Sequence, residues 1–431
     1  MQQNYRSLFN SLLLHFRPRT VPERTLRLTL TWGLGGMAAV LVFLLFGTGL
    51  LLKFVYEPFP DRAYESILYL QQNVVFGQLI RNIHHWSGNV LLFMAFLHLL
   101  RVFFTGAFHP PRQFNWIIGL TLFCTILLSA FTGYLLPWDQ LAFWAITICS
   151  TMLEYLPGAG SWVQGLILGG PEVGPTTLSN FYAIHTAVLP AVILSLLPFH
   201  FWRIRKAKGL VVPRSPEEDT KTRGPVVDTI PNLLVREIVV AIVLIACILV
   251  ISMIFNAPLV DKANPGLSPN PTKAPWYFLG IQEMLMHFHP LFSLFIIPTL
   301  AALGLFAVPY LRYQTNTAGI WFCSPTGRRL ALFAALTALI VTPAAILIDE
   351  FILVSATRTH GVPGVISNGL LPFLLILAGC AGFYLLTKKQ FAATRNEAIQ
   401  AFFVLLVTVF VILTVTGIWF RGEGMQLVLP G

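Results

Sequence analysis

The sequence predicts an all-α, polytopic membrane protein of about nine transmembrane helices, with a four-helix bundle in its N-terminal half. Three observations predict it. Of its 431 residues, 56% are hydrophobic and only 11% are charged, and the mean hydropathy is +0.73. A water-soluble chain carries about 25% charged residues. Apolar stretches long enough to cross a ~30 Å hydrocarbon core as helices recur at roughly 30–54, 80–105, 115–136, 178–202, 233–255, 290–311, 329–348, 369–386 and 398–420. The basic residues then fall on alternating sides. With a cytoplasmic N-terminus, 21 of the 28 lysines and arginines lie on the cytoplasmic side, as the positive-inside bias requires.

Each part follows from its residues. Residues 1–29 are basic with Leu and Phe interleaved, and read as an amphipathic segment lying at the interface. No cleavable signal is evident. Residues 30–205 hold the first four spans and both histidine pairs. Residues 206–232 are charged and Pro-rich, a cytoplasmic linker. Residues 233–350 carry three spans, and 351–431 carry two more, which leaves the C-terminus on the outer side. Between spans, 137–175 and 256–289 are too apolar for plain loops. They read as surface helices at the membrane interface, where Trp and Tyr are favoured. The net charge of +10 reflects this topology and is no nucleic-acid footprint. The five cysteines show no CxxC or CxxCH pattern and are assigned no chemistry.

The chemistry lies in four histidines. His84 and His98 are fourteen residues apart in one span, and His185 and His200 fifteen apart in another. Fourteen helical residues cover roughly 21 Å in nearly four turns, so each pair lies close to one face at two depths. Two such helices side by side offer two facing pairs, the ligand set for two stacked, non-covalent, bis-histidine b haems. Gly35 and Gly49 in the first span, and Gly119 and Gly133 in the third, repeat the fourteen-residue spacing. Glycine lets a flat macrocycle press on the backbone. Arg81 and Arg101 each sit three residues from a histidine of the second span and suit haem propionates.

A lone intramembrane histidine is more often a packing or pathway residue, and glycines also serve plain helix contact. Two matched histidine pairs with two matched glycine pairs favour haem. His85 points about 100° away from His84 and is a neighbour. The reading of another class is a proton or metal transporter.

At these residues the chain resembles cytochrome b of the quinol-oxidising cytochrome bc complexes, closest to the cytochrome b6-like branch. The strings are LGGMAAVLVFLLFGTGL, FGQLIRNIHHWSGN, LHLLRVFFTGAF, TGYLLPWDQLAFWA and GPTTLSNFYAIHTAVLP. The likeness is strong over about 25–210 and weaker over 230–350, which is similar to the separate subunit IV of that branch, here fused. It implies one haem between His84 and His185 near the outer side and another between His98 and His200 near the cytoplasmic side. It implies a quinol-oxidising site by the outer haem, built from 137–175 and 256–289 with Tyr134, Asp139, Trp276 and Tyr277. It implies a quinone-reducing site by the inner haem, with Arg205 and Lys206 and, more weakly, Arg112. One quinol electron would go to an iron–sulfur protein and the other down the haems, coupled to proton translocation.

The implied partners are a Rieske-type iron–sulfur protein and a c-type, single- or multihaem cytochrome. Quinone, lipid and a second copy of the complex complete the set, in a bacterial cytoplasmic membrane, with no nucleic acid. Three departures qualify the likeness. The family's Pro-Glu-Trp-Tyr reads Ala274-Pro275-Trp276-Tyr277 here, so the proton-accepting glutamate is replaced by Pro275. Glu283, about two turns further on, is the nearest substitute, with Asp139 and His287 as others. Gly33 stands where the b6-like branch has the cysteine of an extra covalent haem, so no such haem is expected. The last two spans have no counterpart in subunit IV. The Pro275 departure supports a second reading, a di-haem membrane anchor exchanging electrons between quinone and a partner without bifurcation.

Overall fold

The computed structural model describes residues 19–27, 33–215, 224–353 and 362–429. Most of the expected N-terminal interfacial segment and part of the linker lie outside them. The fold is all-α. Among the described residues, nine helices are long and apolar enough to span a membrane, matching the nine stretches read from hydropathy. In chain order the helices are α1 (Leu34–Lys53), α2 (Ala63–Asn73), α3 (Gly77–Phe104), α4 (Gln113–Leu135), α5 (Gln140–Met152), α6 (Gly160–Leu168) and α7 (Pro175–Lys206). There follow α8 (Thr229–Ile254), α9 (Leu279–His287), α10 (Leu291–Tyr310), α11 (Pro325–Ile352), α12 (Ile366–Phe391) and α13 (Arg395–Trp419). A short antiparallel pair joins β1 (Thr20–Pro22) to β2 (Val226–Asp228).

The described chain divides into two compact units. The first comprises 1–142, 168–263 and 317–320, and the second 143–167, 264–316 and 321–431. In the first unit, α1 packs along α3, α4 along α7, and α8 against both α3 and α1. Polar side chains fasten α8 in place. Asn82, buried on α3, donates to the Ser252 carbonyl at 2.9 Å and accepts from the Ala257 amide at 2.8 Å. Trp86 donates to the Phe255 carbonyl at 2.8 Å. In an apolar surrounding such bonds fix register, because leaving those groups unpaired is costly.

Helix α7 contains a wide π turn over Ile184–Val188. Pro190 follows two residues later; it has no N–H to continue the ordinary ladder. A π turn takes one extra residue. That residue accounts for the unequal histidine spacings: fifteen positions on α7 do the angular work of fourteen on α3. The turns Leu291–Ile296 and Ile366–Leu370 have the same form, with Pro298 and Pro372 at the same offset.

In the second unit α13 is central, packing on α11, α9 and α12. The starts of α11 and α13 share one polar lock. Ser324 caps α11 by accepting from the Gly327 amide at 2.9 Å and also donates to the Glu397 carboxylate. Glu397 and Thr394 close a capping box on α13, the Thr394 amide donating to Glu397 at 2.8 Å.

Candidate functional site

The four histidines lie in the first unit, each against one of the four spaced glycines. A Cβ built on Gly49 would stand 3.1 Å from His84 Cε1, and one on Gly133 would stand 2.6 Å from His185 Cε1. At the other depth, a Cβ on Gly35 would meet His98 at 3.1 Å and one on Gly119 would meet His200 at 3.3 Å. Each imidazole therefore occupies the space a side chain would take, which is a packing reason for glycine at all four positions.

The His84 and His185 rings face each other edge to face with centroids 6.3 Å apart. Two imidazole–metal bonds of about 2.0–2.1 Å plus two half-rings sum to roughly that distance, so the pair fits one metal atom between them. Second partners orient both rings. Thr48 Oγ1 lies 2.9 Å from His84 Nδ1, and Thr132 Oγ1 lies 3.1 Å from His185 Nδ1. Both hydroxyls donate to carbonyls one turn back, Leu44 at 2.8 Å and Leu128 at 2.9 Å. Their oxygens are thus left to accept from Nδ1–H, and the Nε2 lone pairs are left for a ligand. These threonines were missed in the sequence. The available signal was the Thr-Gly dipeptide, present at Thr48-Gly49 and Thr132-Gly133 and absent at Gly35 and Gly119.

The cationic candidates are differently engaged. Arg81 is buried and donates to the Ala257 and Pro258 carbonyls at 2.8 and 2.6 Å. Arg101 is buried near the end of α3. Arg112 donates to the Ala207 and Gly209 carbonyls at 2.9 and 2.8 Å and so closes the end of α7. Arg205 and Lys206 lie in the last turn of α7, with Lys206 Nζ 4.9 Å from the Trp202 ring centroid.

The quinol-site candidates divide between the units. Tyr134, half-buried, lies near the end of α4. Asp139 is buried and accepts from the Ala142 amide at 2.9 Å and the Val260 amide at 3.3 Å. Burial pushes its carboxyl above the ordinary range against those bonds. In the second unit, Trp276 and Tyr277 stack edge to face at 5.7 Å, Trp276 being exposed. They open a turn in which the Pro275 carbonyl accepts from the Phe278 amide at 2.8 Å. Gln282 braces that turn, donating to the Thr272 carbonyl and accepting from the Ala274 amide.

Glu283 is fully buried in α9. Arg421, just beyond α13, clamps it through Nη2 to Oε1 at 2.7 Å and Nε to Oε2 at 3.0 Å. His287 Nε2 also stands 3.2 Å from Glu283 Oε1, and His287 Nδ1 stands 2.6 Å from Asp349 Oδ2. Burial works to raise the Glu283 carboxyl, but the bonds from His287 and Arg421 outweigh it and hold it below its ordinary value.

The sequence model of the family described as Cytochrome b/b6/petB matches residues 21–208. Cytochrome b6 of Acaryochloris marina is 43% identical over 173 residues, covering 40% of this chain and 80% of that protein. The menaquinol:cytochrome c reductase cytochrome b subunit of Geobacillus thermodenitrificans is 42% identical over 173 residues, covering 40% of this chain and 77% of that one. In fold, the chain is similar to a solved chain of a hyperthermophilic respiratory Complex III. The TM-score is 0.67 at 21% identity, over 95% of this chain and 94% of the other. On the strength of its N-terminal half, this integral membrane protein belongs to the cytochrome b/b6 family of electron-transport proteins.

Proposed function

We propose that the chain is the cytochrome b subunit of a bc-type quinol:cytochrome c oxidoreductase, with two b haems held by His84 with His185 and by His98 with His200. Family membership itself implies b-type haem. The observation that carries the two-haem reading is the seating of four histidines, each against its own glycine, at two depths of one bundle. Haems bound there would supply one-electron transfer between the two depths and, having no open coordination position, would not activate oxygen.

The protein's own residues do the rest. Thr48 and Thr132 fix the outer pair of imidazoles in the Nδ1–H form. Arg81 and Arg101 supply buried positive charge within one turn of the second-span histidines. Quinol oxidation would draw on Tyr134, Asp139, Trp276, Tyr277 and Glu283, and quinone reduction on Arg205, Lys206 and Arg112. A Rieske-type iron–sulfur protein and a c-type cytochrome, single- or multihaem, would take the electrons as separate subunits. The complex would be dimeric in a bacterial cytoplasmic membrane, the N-terminus inside and the C-terminus outside, and would translocate protons.

A second reading keeps the haems without bifurcation: a di-haem anchor passing electrons between quinone and one partner. Pro275, where the family carries its proton-accepting glutamate, favours it. A pyridine-haemochrome assay with a redox titration tests both readings. Two b haems per chain at separated potentials are expected, and one haem or none overturns them. Quinol-driven reduction of the two haems along separate kinetic paths then distinguishes bifurcation from a simple anchor.

A further inference from the structure

Five ionisable side chains from three separate segments meet at one end of the second unit. Glu283 and His287 come from α9, Asp349 and Glu350 from the end of α11, and Arg421 from just past α13. They form one chain of contacts. Arg421 clamps Glu283 and reaches Glu350 Oε2 at 3.1 Å and the Met425 carbonyl at 3.0 Å. Glu283 touches His287 Nε2, and His287 Nδ1 touches Asp349. Exposure rises along it. The Glu283 and Arg421 side chains are 0% exposed and His287 8%, whereas Asp349 is 28% and Glu350 25% exposed. The arrangement leads from a closed interior to a surface.

Its members differ in what they can do. A carboxylate held by both arms of a guanidinium is bound as an anion and makes a poor base near neutral pH. His287 is flanked by two carboxylates, with Arg421 Nη2 3.5 Å from Nε2 as the opposing charge. Without a charge on His287, the three carboxylates and one guanidinium leave the cluster two negative charges in excess, so the cluster favours a proton on the imidazole. An imidazole so placed is the group that exchanges protons near neutrality.

We infer that His287 and Asp349 form the proton relay serving quinol oxidation, with Glu283 as the fixed counter-ion and Arg421 as the clamp that immobilises it. The inference rests on the quinol reading above. The step balances as follows. A quinol O–H bond breaks and its proton bonds to His287 Nε2, giving the imidazolium. The Nδ1 proton passes to the Asp349 carboxylate and from there to water, and exchange of the remaining ring proton back to Nδ1 resets the pair. The two electrons leave by the redox partners and do not enter the network. The final helix thereby gains a task, since α13 delivers the arginine that takes Glu283 out of the titration.

The test uses the whole complex purified with its partner subunits, and short-chain menaquinol and ubiquinol as probes. Haem reduction is followed optically between pH 5.5 and 9 in wild type, His287→Gln, Asp349→Asn and Asp349→Glu. Haem content is checked in each. With both haems present, His287→Gln and Asp349→Asn should slow quinol-driven reduction about 10–100-fold at and just above neutral pH, where the unprotonated imidazole is available to accept. The deficit should shrink at acid pH, where the wild-type imidazole is already protonated, and Asp349→Glu should restore most of the rate. Should His287→Gln fail to assemble, the more exposed Asp349 variants carry the test. Wild-type rates and pH profile in fully loaded Asp349→Asn overturn the relay alone. A wild-type complex that oxidises neither quinol overturns the quinol reading and the relay with it.

Discussion

Thr48 Oγ1 accepts from His84 Nδ1 at 2.9 Å while its own hydrogen is committed to the Leu44 carbonyl at 2.8 Å. Thr132 repeats the arrangement with His185. A hydrogen bond accepted from Nδ1–H raises the basicity of the opposite nitrogen and favours the oxidised state of a bound iron. Thr48→Val keeps the shape and removes the hydroxyl acceptor, leaving the Leu45 carbonyl as the partner of the His84 ring. One haem midpoint should rise by on the order of 30–60 mV, since a tenfold change in relative affinity corresponds to about 59 mV for one electron. The other midpoint should stay fixed. A redox titration of the purified protein reads both, and two unmoved midpoints would remove Thr48 from the account.

Glycine at the histidine contacts gives a paired prediction. Gly133→Ala puts a methyl 2.6 Å from the His185 ring, closer than the ring can tolerate without moving. One haem of two should be lost or displaced. Gly36→Ala, one residue from Gly35 in the same helix, meets nothing within 4 Å. It should leave haem content unchanged and gain up to about 1 kcal/mol of helix propensity. Equal haem content in both variants would separate the glycine spacing from haem binding.

Removing a ligand tests the pairing. His98→Leu should remove one haem per chain and leave the spectrum of the other intact, because Gly49 and Gly133 hold His84 and His185 independently of the second depth. Survival of both haems would break the proposed pairs.

Much of this was legible in the chain. Nine spans follow from hydropathy because backbone groups in lipid must be satisfied within a helix. The glycine–histidine match follows from one helical period applied to both residue types. What was hidden was local or distant. The π turn at 184–188 changes the period midway, and only Pro190 hints at it. The threonine bonds depend on which face Thr48 and Thr132 present. The Arg421–Glu283 clamp joins residues 138 apart in sequence, a separation across which no periodicity carries information. Without it, a carboxylate at the edge of an apolar segment reads as solvated.

That clamp also makes a stability prediction whose sign can be worked out. Removing one partner of a fully buried ion pair leaves the other uncompensated and costs about 3–5 kcal/mol. Arg421→Leu should therefore lower the melting temperature of the purified complex clearly, and Glu283→Leu with Arg421→Leu should recover part of the loss. The pH dependence follows from the two shifted groups. Burial presses the His287 imidazole down, but its bonds to Glu283 and Asp349 outweigh this and raise it above its ordinary 6.5. Its stabilisation is complete below 6.5 and is lost as pH rises through the higher folded value. Glu283 sits below its ordinary 4.5, so its stabilisation is present above 4.5 and is lost as pH falls through the lower folded value. Between the two lies a plateau. Melting followed by differential scanning fluorimetry from pH 4 to 9 should show it, with an alkaline decline that flattens in His287→Gln. The same alkaline slope in wild type and variant would show that His287 carries no charge in the folded protein, and the balance of charges around Arg421 would have to be redrawn.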